Sequence, residues 1–256
     1  MSRAGPPLAV FVAVLAIWQA GALHAAFGLK EFQLPYPLQI AQAFADRADV
    51  LFRDTFQFTA LEATLGLLLG GTGGFLCAAL FVGVPVLRRG GLPIAASLNS
   101  IPLIAVSPIA VLWLGFGQPS KIAVVAVMVF APMVVNAYKG LSSIDDDSLE
   151  LMRSLAATPR EVFWKLRLPH ALPYAFTALK VGTTLAMIGA IVAEFFNAQR
   201  GLGVTLSNNI PVARMPIAWA AIVAAAIVGL ALYGAVSVVE RAVIPWHVSF
   251  RARDGE

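Results

Sequence analysis

Apolar residues fall along this chain in long unbroken stretches, separated by short polar connectors. Six stretches can be drawn: Leu8–Phe27, Phe58–Val84, Leu92–Leu114, Ile122–Tyr138, Ala171–Phe196 and Ile217–Val239. A helix that crosses a bilayer needs about 20 predominantly apolar residues, and only the fourth stretch is short of that. The pattern predicts an all-α integral membrane protein with about six transmembrane helices, forming a single domain over residues 1–256. The longest connectors are Gly28–Gln57 and Lys139–His170.

Composition agrees with that division. Of the 256 residues 59% are hydrophobic and 12% are charged, against about 25% charged in a soluble domain. So little charge cannot cover a water-exposed globule of this size. The net charge of +4 raises nucleic acid as a partner, but the 18 basic residues are scattered in ones and twos. That scatter fits membrane loops and points to a lipid bilayer, with no nucleic acid. The single cysteine, Cys77, lies in an apolar run, which excludes a disulfide framework and reads as a small core residue.

Six spans put both ends on one side. With both termini cytoplasmic, the inner segments hold Arg3, Arg88, Arg89, Lys139, Arg153, Arg160, Lys165, Arg167, Arg241, Arg251 and Arg253. The outer segments then hold Lys30, Arg47, Arg53, Lys121, Arg200 and Arg214, so the excess of positive charge favours this orientation. The first stretch also fits a secretory signal: Arg3, an apolar run to Trp18 and small residues at Ala25 and Ala26. Its removal would leave five spans and separate the two ends.

The Lys139–His170 connector is patterned. Of 32 charged residues ten fall between Lys139 and Arg167. Asp147 with Glu150, and Thr158 with Glu161, fit capping boxes in which a short polar side chain and a glutamate satisfy free N–H groups. Pro159 suits the first helical position. Two helices follow, about Ser148–Ala157 and Pro159–Leu168, with Pro169 stopping the second. Leu149, Met152 and Leu155, and then Val162, Phe163 and Leu166, recur at helical spacing. Such short amphipathic helices must pack on the spans, on lipid or on another protein.

This connector resembles the cytoplasmic motif of ABC importer permeases: E-A-A, three residues, G, nine residues, then I-x-L-P. Glu150, Leu151 and Met152 take the first three places, Ala156 stands at the glycine, and Leu166, Arg167, Leu168 and Pro169 close it. The spacing is kept; both alanines and the glycine are replaced, and Thr158 and Pro159 supply a break between the helices. Ile101–Gly117 and Ile188–Gly203 resemble segments of nitrate, sulfonate and taurine permeases. Lys165–Lys180 and Glu240–His247 are similar to a subgroup linked to thiamine-pyrimidine precursors. The likeness covers about residues 55–250.

The resemblance implies a permease in the bacterial inner membrane. It further implies a second permease subunit, often an identical copy, a cytoplasmic ATPase dimer and a periplasmic substrate-binding protein. Glu150, Met152, Ala156, Pro159, Phe163, Leu166 and Pro169 would then form the ATPase-coupling interface. The chain itself would need no cofactor, with ATP and Mg held by the ATPase. The residues agree: none of the five lysines follows a glycine, so a P-loop is missing, and no H-E-x-x-H or cysteine pair offers a zinc ligand set. Nothing here marks the chain as an enzyme by itself. A stand-alone secondary transporter and an integral-membrane enzyme are the competing classes.

Ionisable groups inside spans are costly and are functional candidates by default. Glu62 and Glu194 fall near the outer ends of their spans, and Lys180 in the inner third of the fifth. Headgroup snorkelling for Lys180 and helix-end pairing for the carboxylates are the structural alternatives. Asn99, Ser100 and Ser107, with Pro102 and Pro108, interrupt the third span and are candidates to line a pathway, as are Thr183, Thr184 and Met187 on the fifth. Gly66, Gly70 and Gly74, four residues apart, put small residues on one helix face for close packing.

Overall fold

The computed structural model describes residues 5–245, and every regular element among them is helical. Helices α1 (Gly5–Gln19), α2 (Ala22–Phe27) and α3 (Pro37–Asp46) precede α4 (Ala48–Asp54). Helix α4 runs through a π-helical turn, Thr55–Thr59, into α5 (Ala60–Gly83). Helices α6 (Pro85–Ser97), α7 (Leu103–Leu114), α8 (Gln118–Ser142) and α9 (Asp146–Ser154) follow. Then α10 (Pro159–Val162) passes through a second π turn, Phe163–Arg167, into α11 (Leu168–Asn197), and α12 (Leu202–Asn209) and α13 (Met215–Val243) complete the chain.

The three glycines of α5 set the packing. A Cβ on Gly66 would stand 2.4 Å from the Val125 side chain, on Gly70 2.3 Å from the Ala126 carbonyl oxygen, and on Gly74 2.7 Å from the Phe130 carbonyl oxygen. Ascending positions on α5 therefore meet ascending positions on α8, so the two helices are parallel and touch backbone to backbone. Lipid tails are as apolar as leucine, so membrane helices associate through such close van der Waals contact. Helix α11 fills the groove between them in the opposite direction: a Cβ on Gly189 would meet Val125 and Met128, on Gly182 it would meet Leu67 and Val129, and Gly140 of α8 faces Ala171 and Tyr174. Small residues of α13, Ala220, Ala221 and Ala224, close the main core with Ala186, Met187 and Ala190. Cys77 packs beside a smaller cluster of Phe81, Ala95 and Val134.

Four helical runs are long and apolar enough to cross a membrane: Ala48–Gly83, Gln118–Ser142, Pro159–Phe196 and Met215–Val243. Two of the six expected spans take other forms. The third is broken, because α6 and α7 are bent by 107° around a 3-10 turn, Leu98–Ser100, and Pro102. Counted as one span, that pair makes five. The first is interrupted by Gly21, whose φ of 79° is a conformation glycine adopts freely, so α1 keeps only 15 residues. At 1.5 Å per residue that is about 22 Å, short of the ~30 Å hydrocarbon core. Trp18 at its end still reaches the bundle, edge-on to Trp219 at 5.5 Å. Arg3, Trp246, His247, Arg251 and Arg253 lie outside the described residues.

The glycine contacts are testable within one helix. Gly70→Ala drives a methyl into the Ala126 backbone, an overpacking that costs about 1–3 kcal/mol, whereas Gly73→Ala meets the Phe130 ring at an ordinary 3.7 Å. In detergent melts the first substitution lowers Tm by several degrees and the second leaves it unchanged; equal effects would contradict the packing.

Candidate coupling surface and buried carboxylate site

At one end of the bundle the 139–170 connector folds into two short helices joined by a tight turn at Ala156. Asp145, with an extended backbone, caps α9 by accepting from the Ser148 N–H at 2.8 Å. Hydrogen bonding from Ser148, through its side chain first and then its backbone N–H, holds the Asp145 carboxyl below the ordinary aspartate range. The expected capping box on Asp147 and Glu150 does not form: Asp147 lies inside the first turn, because Ile144 is buried and fixes the chain one step before Asp145. The box on Thr158 and Glu161 does form, with Thr158 N–H donating to Glu161 at 3.0 Å and Glu161 N–H donating back at 3.3 Å.

Between the two helices sits Ala156 at φ 52°. Ala156 N–H donates to Arg153 O at 2.9 Å and Ala157 N–H to Met152 O at 3.0 Å. These are the two bonds of a Schellman turn, whose left-handed residue is ordinarily glycine. The turn thus survives with alanine at the motif's glycine place. Pro169 does not stop the second helix, as the sequence implied. The chain continues from Pro159 to Asn197, and the π turn just before Pro169, closed by Leu168 N–H donating to Phe163 O, is where the missing proline N–H is absorbed.

The connector is tied to α8. Arg167 donates to Leu141 O at 2.7 Å, and the His170 ring meets Gly140 O at 2.8 Å, so both satisfy carbonyls at the end of α8. Its apolar residues divide between two faces. Met152, Phe163 and Leu166 are half-buried, with Phe163 packed on the cluster of Ala171 and Ala175. Leu151, Leu155 and Trp164 are 61, 68 and 58% exposed and stand among the connector's charges, with Glu150 and Pro159 also exposed. Large apolar side chains exposed on a charged connector suit a protein partner better than lipid.

At the opposite end, side chains 135 residues apart converge. Glu194, fully buried, accepts from Thr59 Oγ1 at 2.7 Å and from Gly203 N–H at 2.7 Å; Thr59 Oγ1 accepts in turn from Leu202 N–H at 3.0 Å. The carboxylate therefore sits on the first turn of α12, where free N–H groups and the helix dipole favour negative charge. The π turn Thr55–Thr59 delivers Thr59, and Gly201 at φ 118° lets the loop close over the carboxylate, where a Cβ would stand 2.3 Å from it. Glu62, 2% exposed, hydrogen-bonds with Glu194, and its Oε2 has no partner among the described residues. Lys121, expected in an outer loop, is 2% exposed and donates to Phe116 O at 2.5 Å and Gly117 O at 3.0 Å. Nothing in the spacing of Thr59, Lys121 and Glu194 announced this cluster.

The remaining candidates differ in exposure. Lys180 does not snorkel freely: it pairs with the buried Glu240 of α13. Ser107, Thr183 and Met187 are buried, Thr183 donating to Lys180 O at 2.7 Å. Thr184 is exposed on an α11 face shared with Thr177, Val181 and Ile188, and Asn99 and Ser100 are exposed at the bend. Helix α7, which carries Ser107, packs on α11, which carries Thr183, Thr184 and Met187.

Residues 70–245 match the family described as the binding-protein-dependent transport system inner membrane component, and the chain belongs to it. It is a permease subunit of the ABC importer class, a family in which ATP hydrolysis rests on a separate subunit. It is 33% identical to the formylaminopyrimidine transport permease protein ThiX of Halalkalibacterium halodurans, over 94% of this chain and 95% of that one. It is 30% identical to the riboflavin transport system permease protein RibX of Chloroflexus aurantiacus, over 92% of this chain and 88% of the relative. In fold it is similar to a chain of the MetNI methionine ABC transporter solved in inward-facing conformations: TM-score 0.59, 21% identity, covering 82% of this chain and 98% of that one.

Two substitutions test the two ends. Glu194→Ala leaves the Gly203 N–H and Thr59 without their buried acceptor, at about 1–3 kcal/mol for each orphaned group; hydrogen exchange across residues 198–209 should accelerate while the 145–165 helix pair is unchanged. Uniform acceleration, or none, would remove the clamp. Ala156→Gly relieves a left-handed alanine that costs roughly 1–2 kcal/mol, so exchange of the 155–158 amides should slow.

Proposed function

We propose that this chain, paired with a second copy, carries a small heteroaromatic solute of the aminopyrimidine type across the inner membrane. A binding protein delivers the solute, and an ATPase dimer drives its passage. In this reading both termini and the connector are cytoplasmic, and ATP and Mg are bound by the ATPase. The observation that carries the coupling role is the exposure of Leu151, Leu155 and Trp164 on a connector whose second half runs into α11 and is bonded to α8 through Arg167 and His170. When an ATPase pulls that connector, the bundle is moved as a packed body, the kind of rigid rearrangement that switches access between two sides. Glu150, Met152, Ala156, Pro159, Phe163, Leu166 and Pro169 share the connector and support the three exposed side chains. The exposed face of α11 around Thr184, with Asn99 and Ser100, is the candidate lining of the pathway; Ser107, Thr183 and Met187 steady it from behind.

The solute reading is supported by the near end-to-end likeness to a permease named for formylaminopyrimidine. A nitrate, sulfonate or taurine importer is the alternative within the family, and an ATP-independent carrier the alternative outside it.

The test is ATP hydrolysis by the chain reconstituted in lipid with its ATPase and binding protein. Leu151→Asp with Trp164→Asp should abolish stimulation by loaded binding protein and release the ATPase, while Phe163→Ala, which loosens the connector from within, weakens stimulation less. Stimulation that survives the double substitution would end the coupling role. Stimulation by a sulfonate and not by an aminopyrimidine would replace the solute.

A further inference from the structure

The arrangement of the outer cations goes beyond the transport reading. Six cations fall on the side that the proposed topology places outside, where membrane proteins ordinarily carry few. Four of them, Arg47, Arg53, Arg200 and Arg214, line one cavity of about 500 Å³ formed by α4, the loop before α12, α12 itself and the start of α13. These arginines come from three separate segments of the sequence, the two ends of α4, the loop before α12 and the start of α13, so their meeting is a product of the fold. All four are exposed. Asp54 is the one acidic residue lining the cavity, and it is held at 3.4 Å by Arg53; among the described residues Arg47, Arg200 and Arg214 have no ion-pair partner. Thr205 and Asn208 of α12 add neutral hydrogen-bonding groups to the wall.

We propose that this cavity binds a phosphate-type oxyanion. Three guanidinium groups without ion-pair partners, lining one concave space, focus positive potential there and favour an anion. The planar fork of arginine matches oxyanion geometry through paired N–H donors. The volume lies within the ~300–1,000 Å³ range of small-molecule sites. The wall mixes charge with amide and hydroxyl groups, as recognition of a group carrying several oxygens requires. A free anion on the outer side and the phosphate of a lipid headgroup present the same chemistry. The site is distinct from the buried Glu194 cluster, whose donors are already engaged by the chain itself.

The experiment uses the full chain in nanodiscs of neutral phosphatidylcholine and in nanodiscs containing phosphatidylglycerol. Inorganic phosphate is titrated calorimetrically into the first at low ionic strength, and lipid retained by the second is read by native mass spectrometry. Arg47→Gln combined with Arg214→Gln should weaken phosphate binding, or deplete retained phosphatidylglycerol, at least about tenfold, the scale of losing a charged hydrogen bond. Lys30→Gln, an outer cation that does not line the cavity, should change neither. Phosphate binding lost in the double variant assigns a free anion; lipid loss alone assigns a headgroup. If neither ligand distinguishes the double variant from the parent chain, or if Lys30→Gln has the same effect, the proposal is overturned.

Discussion

The contact on which the rest of the molecule depends is the backbone-to-backbone meeting of α5 and α8. Three glycines at four-residue spacing remove every side chain from that face, and the carbonyls of Ala126 and Phe130 occupy the space. In water such a seam would be one contribution among many. In lipid, where apolar side chains gain little by leaving hydrocarbon for protein, the closeness of approach is itself the driving force. Because the two helices are parallel, the seam also fixes the relative height of everything attached to their ends. Thr59 and Lys121 are set level at one end, and Leu141 is offered to Arg167 at the other.

Helix α11 connects those ends. With its α10 extension it spans Pro159–Phe196, 38 residues, or about 57 Å at 1.5 Å per residue. It begins in the connector and finishes at Glu194. Each of the two π turns among the described residues lies beside one of these termini, Thr55–Thr59 at the carboxylate and Phe163–Arg167 in the connector. Such wide turns inside long helices gather at functional positions. Here one aims Thr59 at Glu194, and the other lets the helix pass Pro169 without ending. A helix that stopped at Pro169 would leave the connector hinged. A continuous one joins it directly to a membrane-spanning helix.

Much of this was legible in the residues. Runs of apolar sequence located the long spans, the Thr158–Glu161 box marked a true helix start, and the spacing from Glu150 to Pro169 identified the connector. The errors came from local rules overruled by tertiary context. Three consecutive aspartates each satisfy the capping rule, and only the burial of Ile144 selects Asp145. Pro169 reads as a terminator until the π turn is seen. Alanine in the glycine place threatened the turn, yet two backbone bonds hold Ala156 left-handed. Glu62 and Glu194 stood out as charges near the outer ends of their spans, but their partners Thr59 and Gly203, and the arginine cavity, did not: each site draws on segments more than 100 residues apart, and no spacing rule reaches that far.

The charged groups inside the helices show what decides whether such a residue is tolerated. Lys180 finds Glu240, Lys121 finds two carbonyls ahead of α8, and Glu194 finds the open N–H groups of α12. Lys121 and Glu194 are hydrogen-bonded by backbone at a helix end, and with Glu62 they form a buried group whose members also interact electrostatically. Backbone acceptors and donors of that kind are present in every helix terminus and bring no ion of their own to desolvate. That economy explains why the carboxylate lies where α11 meets α12 and not at mid-span. It also explains why Glu62, which reaches the same place from α5 after the N–H groups are taken, is left with an oxygen the described residues do not satisfy.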